Sequence, residues 1–348
     1  MNNNEFYINH CLGLALNGLG QVAPNPMVGC VIVANEKIIG EGYHQLYGQA
    51  HAEVNAINAV QDKELLKTAT LYVNLEPCSH FGKTPPCADL IIASHIPRVV
   101  IGGVDSNSLV SGKGIEKLKN AGVIVEVGVL EQECKQLNYR FFTYHEKKRP
   151  YIILKWAQTR DGFIDASRTE ENQKALQISN ADAKKLVHKW RSMEQAIMVG
   201  TNTALLDNPQ LTVREVEGKN PIRITIDKWL RIPKDFHLFD GSTPTLVFTS
   251  SDAASVNNLE YIKINFELPL VPQFIDELYK RNIQSVLVEG GEQLLNSFIQ
   301  ANCWDEARVF VSETKIGKGV NAPVLNTDPI DHENISGDVL LIYKNEKF

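Results

Sequence analysis

One histidine, one glutamate and two cysteines carry the chemistry legible in this chain. His51-Ala52-Glu53 is followed by Pro77-Cys78 and then by Cys87. A neutral imidazole and two thiolates suit Zn²⁺, and three protein ligands leave a fourth position for water. A glutamate two residues from the histidine can move protons around that water, so the pattern predicts hydrolytic removal of an amino group from a heteroaromatic ring. Two thiolates neutralise the cation's charge. The bound water then ionises less readily than on an all-histidine zinc and needs a dedicated base. Glu53 fits that role: it would accept the water proton, then protonate the ring nitrogen and the leaving ammonia.

His51 and Glu53 would point about 200° apart in mid-helix. They are therefore expected at the start of a helix over Ala52–Val60, where first-turn side chains can reach one pocket. Cys87 is expected just before a helix over Ala88–Ser94, because helix N-termini favour a thiolate. A purely structural zinc would be closed by four protein ligands. His80, inside the Cys78–Cys87 loop, is the residue available for that alternative.

The length of 348 residues predicts two domains. A hydrophobic fraction of 43% and a charged fraction of 22% belong to a globular protein. The net charge of −6 argues against a nucleic-acid groove but leaves room for small anionic substrates. No apolar run of about 18 residues marks a membrane span, and no basic-then-apolar leader opens the sequence. Six cysteines in a chain this long are no disulfide framework. Cys11, Cys30, Cys134 and Cys303 read as buried or free thiols of a reducing cytoplasm. The charged stretch His145–Arg149 ending in Pro150 is the expected linker, giving domains 1–146 and 147–348.

In the first domain, helices are expected at Phe6–Leu19, Ala52–Val60, Ala88–Ser94 and Gly114–Ala121. A hairpin is expected around Asn35-Glu36, with strands at Thr70–Asn74, Arg98–Gly102 and Val123–Val127. In the second, the runs Tyr151–Ala157, Ala196–Val199, Ile222–Ile226, Thr245–Phe248 and Ser285–Val288 are apolar almost without alternation. Such strands are covered on both faces, as in a mostly parallel αβα sandwich. Lys155 interrupts one of these runs. Either it reaches a pocket or it ends an exposed strand. Leu206-Asp207-Asn208-Pro209 reads as a tight turn after a helix. Glu289-Gly290-Gly291, followed by the helix Gln293–Gln300, can seat a phosphate on a helix N-terminus.

The stretch Pro77-Cys78-Ser79-His80-Phe81-Gly82-Lys83-Thr84-Pro85-Pro86-Cys87, with eight residues between the cysteines instead of the common two, closely resembles the bifunctional riboflavin-biosynthesis deaminase–reductase family. Pro24-Asn25-Pro26-Met27-Val28-Gly29-Cys30-Val31 resembles the same family's N-terminal motif. Leu154–Ala157 with Asp161-Gly162, Val199–Thr203, Asp207–Pro209, Leu211–Arg214 and Glu289–Gly291 resemble its reductase domain.

The resemblance implies a cytidine-deaminase-like αβα domain followed by a dihydrofolate-reductase-like αβα domain. The implied substrate is 2,5-diamino-6-ribosylamino-4(3H)-pyrimidinone 5′-phosphate, deaminated at C2. NADPH would then reduce the ribosyl group to a ribityl chain. Asn25 would hold the pyrimidine and Lys83 would contact the substrate. Ala157, Thr203, Asp207, Gly290 and Gly291 would line the NADPH site. Arg191, Leu211, Arg214 and Glu289 would bind the reductase substrate, the arginines clamping its phosphate. Lys155, Asp207 and Glu289 would surround the hydride acceptor. Where the family has a Ser that holds substrate and a Trp that packs on cofactor, this chain has Ala175 and Gln177. Assembly into a homo-oligomer through the reductase domain is also implied. Two other readings stand beside this one: a deaminase of another pyrimidine or nucleoside with a non-catalytic second domain, and a non-catalytic zinc-stabilised binding protein.

Overall fold

The computed structural model describes residues 3–81, 85–107, 111–168 and 175–348. The chain divides into two compact units, Met1–Lys148 and Arg149–Phe348. The division falls just past the expected boundary because a helix continues through Lys147 and ends where Lys148 turns left-handed.

The first unit is built on a five-stranded sheet of β1 (Gly29–Ala34), β2 (Lys37–Tyr43), β3 (Thr70–Leu75), β4 (Arg98–Gly103) and β5 (Ile124–Val127), in the order β2-β1-β3-β4-β5. β1 is antiparallel to both neighbours, and β3, β4 and β5 are parallel. Asn35 and Glu36, both at positive φ, form the tight turn between β1 and β2. The helices are α1 (Asn3–Ala15), α2 (Ala52–Ala59), α3 (Cys87–Ala93), α4 (Lys113–Asn120), α5 (Glu131–Leu137) and α6 (Tyr139–Lys147). The expected helix through Leu19 stops at Ala15, and a single 3₁₀ turn over Leu16–Gly18 comes next.

β1 is buried throughout, and its alternation serves two cores. Cys30, Ile32 and Ala34 pack with Ala52 and Ala56 of α2 and Ala88 and Ile91 of α3. Val31 and Val33 pack with Ile8 and Cys11 of α1 and Cys134 of α5. α2 rests directly on β2: a Cβ on Gly42 would meet the Ala56 nitrogen at 2.6 Å. Only glycine allows that approach.

The second unit carries a nine-stranded sheet formed by β6 (Tyr151–Gln158), β8 (Ala196–Val199), β9 (Ile222–Ile226), β10 (Thr245–Thr249), β11 (Leu259–Lys263), β12 (Ser285–Glu289), β13 (Glu306–Val311), β15 (Asp331–Ile335) and β16 (Asp338–Lys344). The order is β11-β10-β9-β8-β12-β6-β13-β16-β15, and a separate short pair joins β7 (Phe163–Asp165) to β14 (Val320–Asn321). All neighbours from β11 to β13 are parallel, and the last two contacts are antiparallel. The helices are α7 (Ala181–Met193), α8 (Thr201–Asp207), α9 (Leu270–Lys280) and α10 (Glu292–Gln300). The mixed α/β architecture expected for both halves is present.

Six strands are not among those expected: β7, β11, β13, β14, β15 and β16. β7 and β14 are very short, β15 is polar and exposed, and β13 buries Glu306 and Arg308 among its apolar residues, but β16 carries the apolar run Val339-Leu340-Leu341-Ile342-Tyr343 and is missed all the same.

Candidate active sites

In the first unit the site assembles where α2 and α3 begin. His51 is the extended residue immediately before α2, Glu53 lies in the first turn of α2, and Cys87 is the first residue of α3. Cys78 comes after β3 and its Glu76-Pro77 extension. The ligand atoms of His51, Cys78 and Cys87 all lie within 4.8 Å of one another. His51 Nδ1 is 3.6 Å from Cys78 Sγ and 3.4 Å from Cys87 Sγ, and the Cys87 backbone N–H donates to Cys78 Sγ at 3.3 Å. Hydrogen bonding from Cys87, then from His51, drives the Cys78 thiol down to about 4, while Cys87, which supplies that bond, is pushed up. One imidazole and two sulfurs, of which Cys78 is the one poised as a thiolate, suit a tetrahedral zinc with one position free. His80 is exposed and outside this triad, so the closed four-ligand alternative finds no support among the described residues.

Glu53 is 3% exposed. Burial, reinforced by Cys78, raises its carboxyl to about 7, and a cation bound to the triad pulls the other way. Asn25 is held by a histidine that no motif singles out. Its side-chain nitrogen is 3.1 Å from His44 Nε2, and His44 Nδ1 is 3.0 Å from the Ala50 carbonyl. Burial lowers the His44 pKa, favouring a neutral ring that donates to Ala50 and accepts from Asn25.

Two further polar features fix the frame. Asn74 and Asn138 both bond the backbone of Met27, two residues past Asn25. Glu76, 4% exposed, accepts backbone N–H groups from Asp105, Gly112, Gly114 and Ile115, anchoring the strap before Cys78 to the start of α4. Lys83 lies outside the described residues.

In the second unit, Lys155 on β6 and Glu289 at the end of β12 are register partners. Arg191, in the last turn of α7, meets Glu289 through two bonds, Nε to Oε1 at 2.9 Å and Nη2 to Oε2 at 2.8 Å. Burial alone would raise the Glu289 carboxyl, but Arg191 and then Lys155 outweigh it and hold it at about 2. Burial lowers the Lys155 pKa, against the pull of Glu289.

Arg191 Nη1 also donates to the Thr212 carbonyl, and Arg214 Nη1 to Thr212 Oγ1, so both arginines converge on Thr212. Leu211 is buried beside them. Arg214 is exposed, whereas Arg191 is committed to Glu289. His188 Nδ1 accepts the Arg214 backbone N–H.

Gly290 and Gly291 both take positive φ and lead into α10, and Thr203 of α8 lies against both. Ala157 lies two residues beyond Lys155 along β6, half-buried. Asp207 ends α8, and its carboxylate pairs with Arg168 rather than with Lys155. Ala175 and Gln177 are exposed and flank Leu176. Beyond β9, β10 and β11 a groove of about 610 Å³ is lined by Lys228, Trp229, Ser250, Lys263 and Phe266. No motif marks it, because its residues come from separate loops and strand ends.

A family model described as the RibD C-terminal domain matches residues 150–340. A second, the cytidine and deoxycytidylate deaminase zinc-binding region, matches residues 1–103. A riboflavin biosynthesis protein RibD from Aquifex aeolicus is 40% identical, covering 97% of each chain. The chain belongs to the RibD family. RibD from Bacillus amyloliquefaciens is 41% identical over 92% of this chain and 87% of its own. The crystal structure of a diaminohydroxyphosphoribosylaminopyrimidine deaminase/5-amino-6-(5-phosphoribosylamino)uracil reductase from Thermotoga maritima superposes with a TM-score of 0.88, at 38% identity and 98% coverage of both chains. A RibD structure from Acinetobacter baumannii gives 0.87 at 30% identity and 99% coverage of both. As a RibD protein, the chain is a bifunctional enzyme of riboflavin biosynthesis, with a zinc-dependent deaminase unit and an NADPH-dependent reductase unit. Among the described residues no helix is long and apolar enough to cross a membrane.

Proposed function

We propose that the first unit deaminates 2,5-diamino-6-ribosylamino-4(3H)-pyrimidinone 5′-phosphate at C2 and that the second reduces the ribosyl group of the product to ribityl. The observation that carries this reading is the His51–Cys78–Cys87 triad with buried Glu53 at its edge, in a chain alignable end to end with RibD proteins. Zinc on the triad would supply the activated water. Glu53 takes the proton from that water, delivers it to the ring nitrogen as C2 becomes tetrahedral, and assists departure of ammonia. Asn25, its amide oriented by neutral His44, holds the pyrimidine edge. Lys83 would contact the substrate's polar periphery.

NADPH supplies the hydride for the second reaction. A ribosylamine must open before it can be reduced: the amine lone pair expels the ring oxygen, which needs a proton, and C1′ then accepts hydride. Lys155 is the acid we place at the ring oxygen, because burial makes its ammonium a better donor. Glu289 holds the opening sugar's hydroxyls and is oriented by Arg191. Exposed Arg214 takes the 5′-phosphate, and Leu211 packs beneath it.

The Gly290-Gly291 turn and Thr203 would hold the cofactor's pyrophosphate at the α10 N-terminus, and Ala157 and Asp207 would hold its nicotinamide part. From β12 to β10 is three strand spacings, about 14 Å, the reach of an extended dinucleotide. The Lys228–Lys263 groove therefore suits the cofactor's phosphorylated adenosine end. Ligand sites beyond the carboxyl ends of parallel strands are the rule in such sheets. We place the enzyme in the cytoplasm, on its free cysteines, and infer from the resemblance a homo-oligomer joined through the reductase unit.

The test is product mass by chromatography, with zinc-loaded protein and the diaminopyrimidinone substrate. Without NADPH only the deaminated product forms; with NADPH it becomes deaminated and reduced. Deamination that stays unreduced in excess NADPH would remove the second activity, and no turnover with zinc bound would remove the substrate.

A further inference from the structure

β7 ends on an aspartate that ties together three backbone and side-chain groups. Asp165 Oδ1 accepts the backbone N–H groups of Ala166 at 2.9 Å and Leu176 at 3.0 Å. Its Oδ2 accepts Arg168 Nε at 2.7 Å, with Nη2 at 2.5 Å. The same guanidinium reaches the other way: Arg168 Nη1 donates to Asp207 Oδ1 at 2.5 Å. The Arg168 side chain is only 7% exposed. One buried cation thus joins two carboxylates from separate elements.

Two features of the surroundings make this more than an ion pair. Asp207 is the last residue of α8, where the negative end of the helix disfavours a carboxylate, so a cation is needed to hold it in place. Leu176 lies between exposed Ala175 and Gln177, and its backbone N–H is tied to the same Asp165 that holds Arg168, so β7, Leu176 and the end of α8 meet at one guanidinium–carboxylate cluster.

We propose that Arg168 is a positioning residue of the reductase reaction: bridging Asp165 and Asp207, it sets the Asp207 carboxylate for cofactor binding. This rests on the reading of Asp207 as an NADPH contact.

The experiment uses the full-length, zinc-loaded enzyme and the variants Arg168→Gln, Arg168→Lys, Asp207→Asn and the double Arg168→Gln/Asp207→Asn. KM for NADPH, KM for the deaminated pyrimidine and kcat are measured separately. Deamination serves as an internal control. Trp156, Trp190, Trp229 and Trp304 all lie in the second unit, so tryptophan fluorescence reports its melting alone. Arg168→Gln is expected to raise KM for NADPH about tenfold while kcat and pyrimidine KM stay within about twofold, Arg168→Lys to recover part of the loss, and the double variant to be no worse than Asp207→Asn.

An unchanged NADPH KM in Arg168→Gln, beside a raised one in Asp207→Asn, overturns the role of Arg168 and leaves Asp207 standing. An unchanged KM in Asp207→Asn removes the cofactor reading of Asp207 and this inference with it. A uniform loss in all three parameters together with a lowered melting temperature makes the bridge structural only and also overturns the proposal.

Discussion

Arg191 and Glu289 meet as a parallel pair of charge-assisted bonds, 2.9 and 2.8 Å long, with Lys155 in register beside them. The carboxylate is 7% exposed, so its charge is compensated by these two cations rather than by water. Breaking one side of such a buried pair costs roughly 3–5 kcal/mol because the other charge is left uncompensated. Glu289→Gln is therefore expected to lower reductase kcat/KM at least about 100-fold and to lower the tryptophan-reported melting temperature. Deamination in the same sample should be unchanged. Retention of full reductase activity would show that the pair does no work in hydride transfer.

The same charge arrangement sets an acid limit on the second unit. Glu289 sits at about 2, and so does Glu306, where Arg308 and Lys344 outweigh the effect of burial. Unfolded glutamate titrates near 4.3. The unfolded chain thus binds protons that the native one refuses as pH falls below that value. The stabilisation is complete above about pH 4.3 and is lost between there and pH 2, about 3 kcal/mol per group. Urea unfolding followed by tryptophan fluorescence should show the midpoint falling steeply over that window. Glu306→Gln should flatten the fall while lowering stability at neutral pH. An equally steep fall in that variant would assign the acid limit to other groups.

The zinc triad is legible in the sequence because its chemistry is local. His51 and Glu53 need only a helix start, and Cys87 only another, which the apolar pattern supplies. Lys155 stands out as a charge in an apolar run, and its partner Glu289 as the end of another. The hidden residues depend on pairing across the fold. Glu76 gathers N–H groups from a segment more than 25 residues downstream, His44 carries no motif around it, and Arg168 matters only because α8 ends beside it. The two arginines look alike in the sequence; only the packing shows that Arg191 is paired with Glu289 while Arg214 stays exposed, which is why we propose Arg214 for the phosphate.

In the deaminase unit, metal binding and proton transfer are expected to be separable by mutation. Glu53 touches the site without belonging to the ligand triad. Glu53→Gln keeps the side-chain volume and should keep the parent's zinc content by metal analysis, while deamination falls by a factor of about 10²–10⁴. Cys87→Ser, which removes a ligand, should lose the zinc as well. Both variants should still reduce pre-deaminated substrate at the parental rate. A Glu53→Gln protein that deaminates normally would transfer the acid/base role to another group.

The Gly290-Gly291 turn gives the sharpest separation between backbone strain and cofactor binding. Both residues hold positive φ, 79° and 78°, and a Cβ on Gly291 would come within 3.1 Å of Thr203 Oγ1. Gly291→Ala therefore meets a backbone penalty of about 1–3 kcal/mol, since φ 78° with ψ 108° lies outside the regions open to alanine, and crowds the helix that faces the turn. Gly337 offers a matched control, since it holds φ of 102° with nothing within 4 Å of a Cβ. Gly337→Ala should cost similar stability and leave the reductase kinetics alone. Gly291→Ala should raise KM for NADPH about tenfold or more, with deamination untouched. Steady-state kinetics on the two variants, beside tryptophan-reported melts, decides the matter. Equal NADPH KM values in both would mean that the turn is ordinary loop and that the pyrophosphate binds elsewhere.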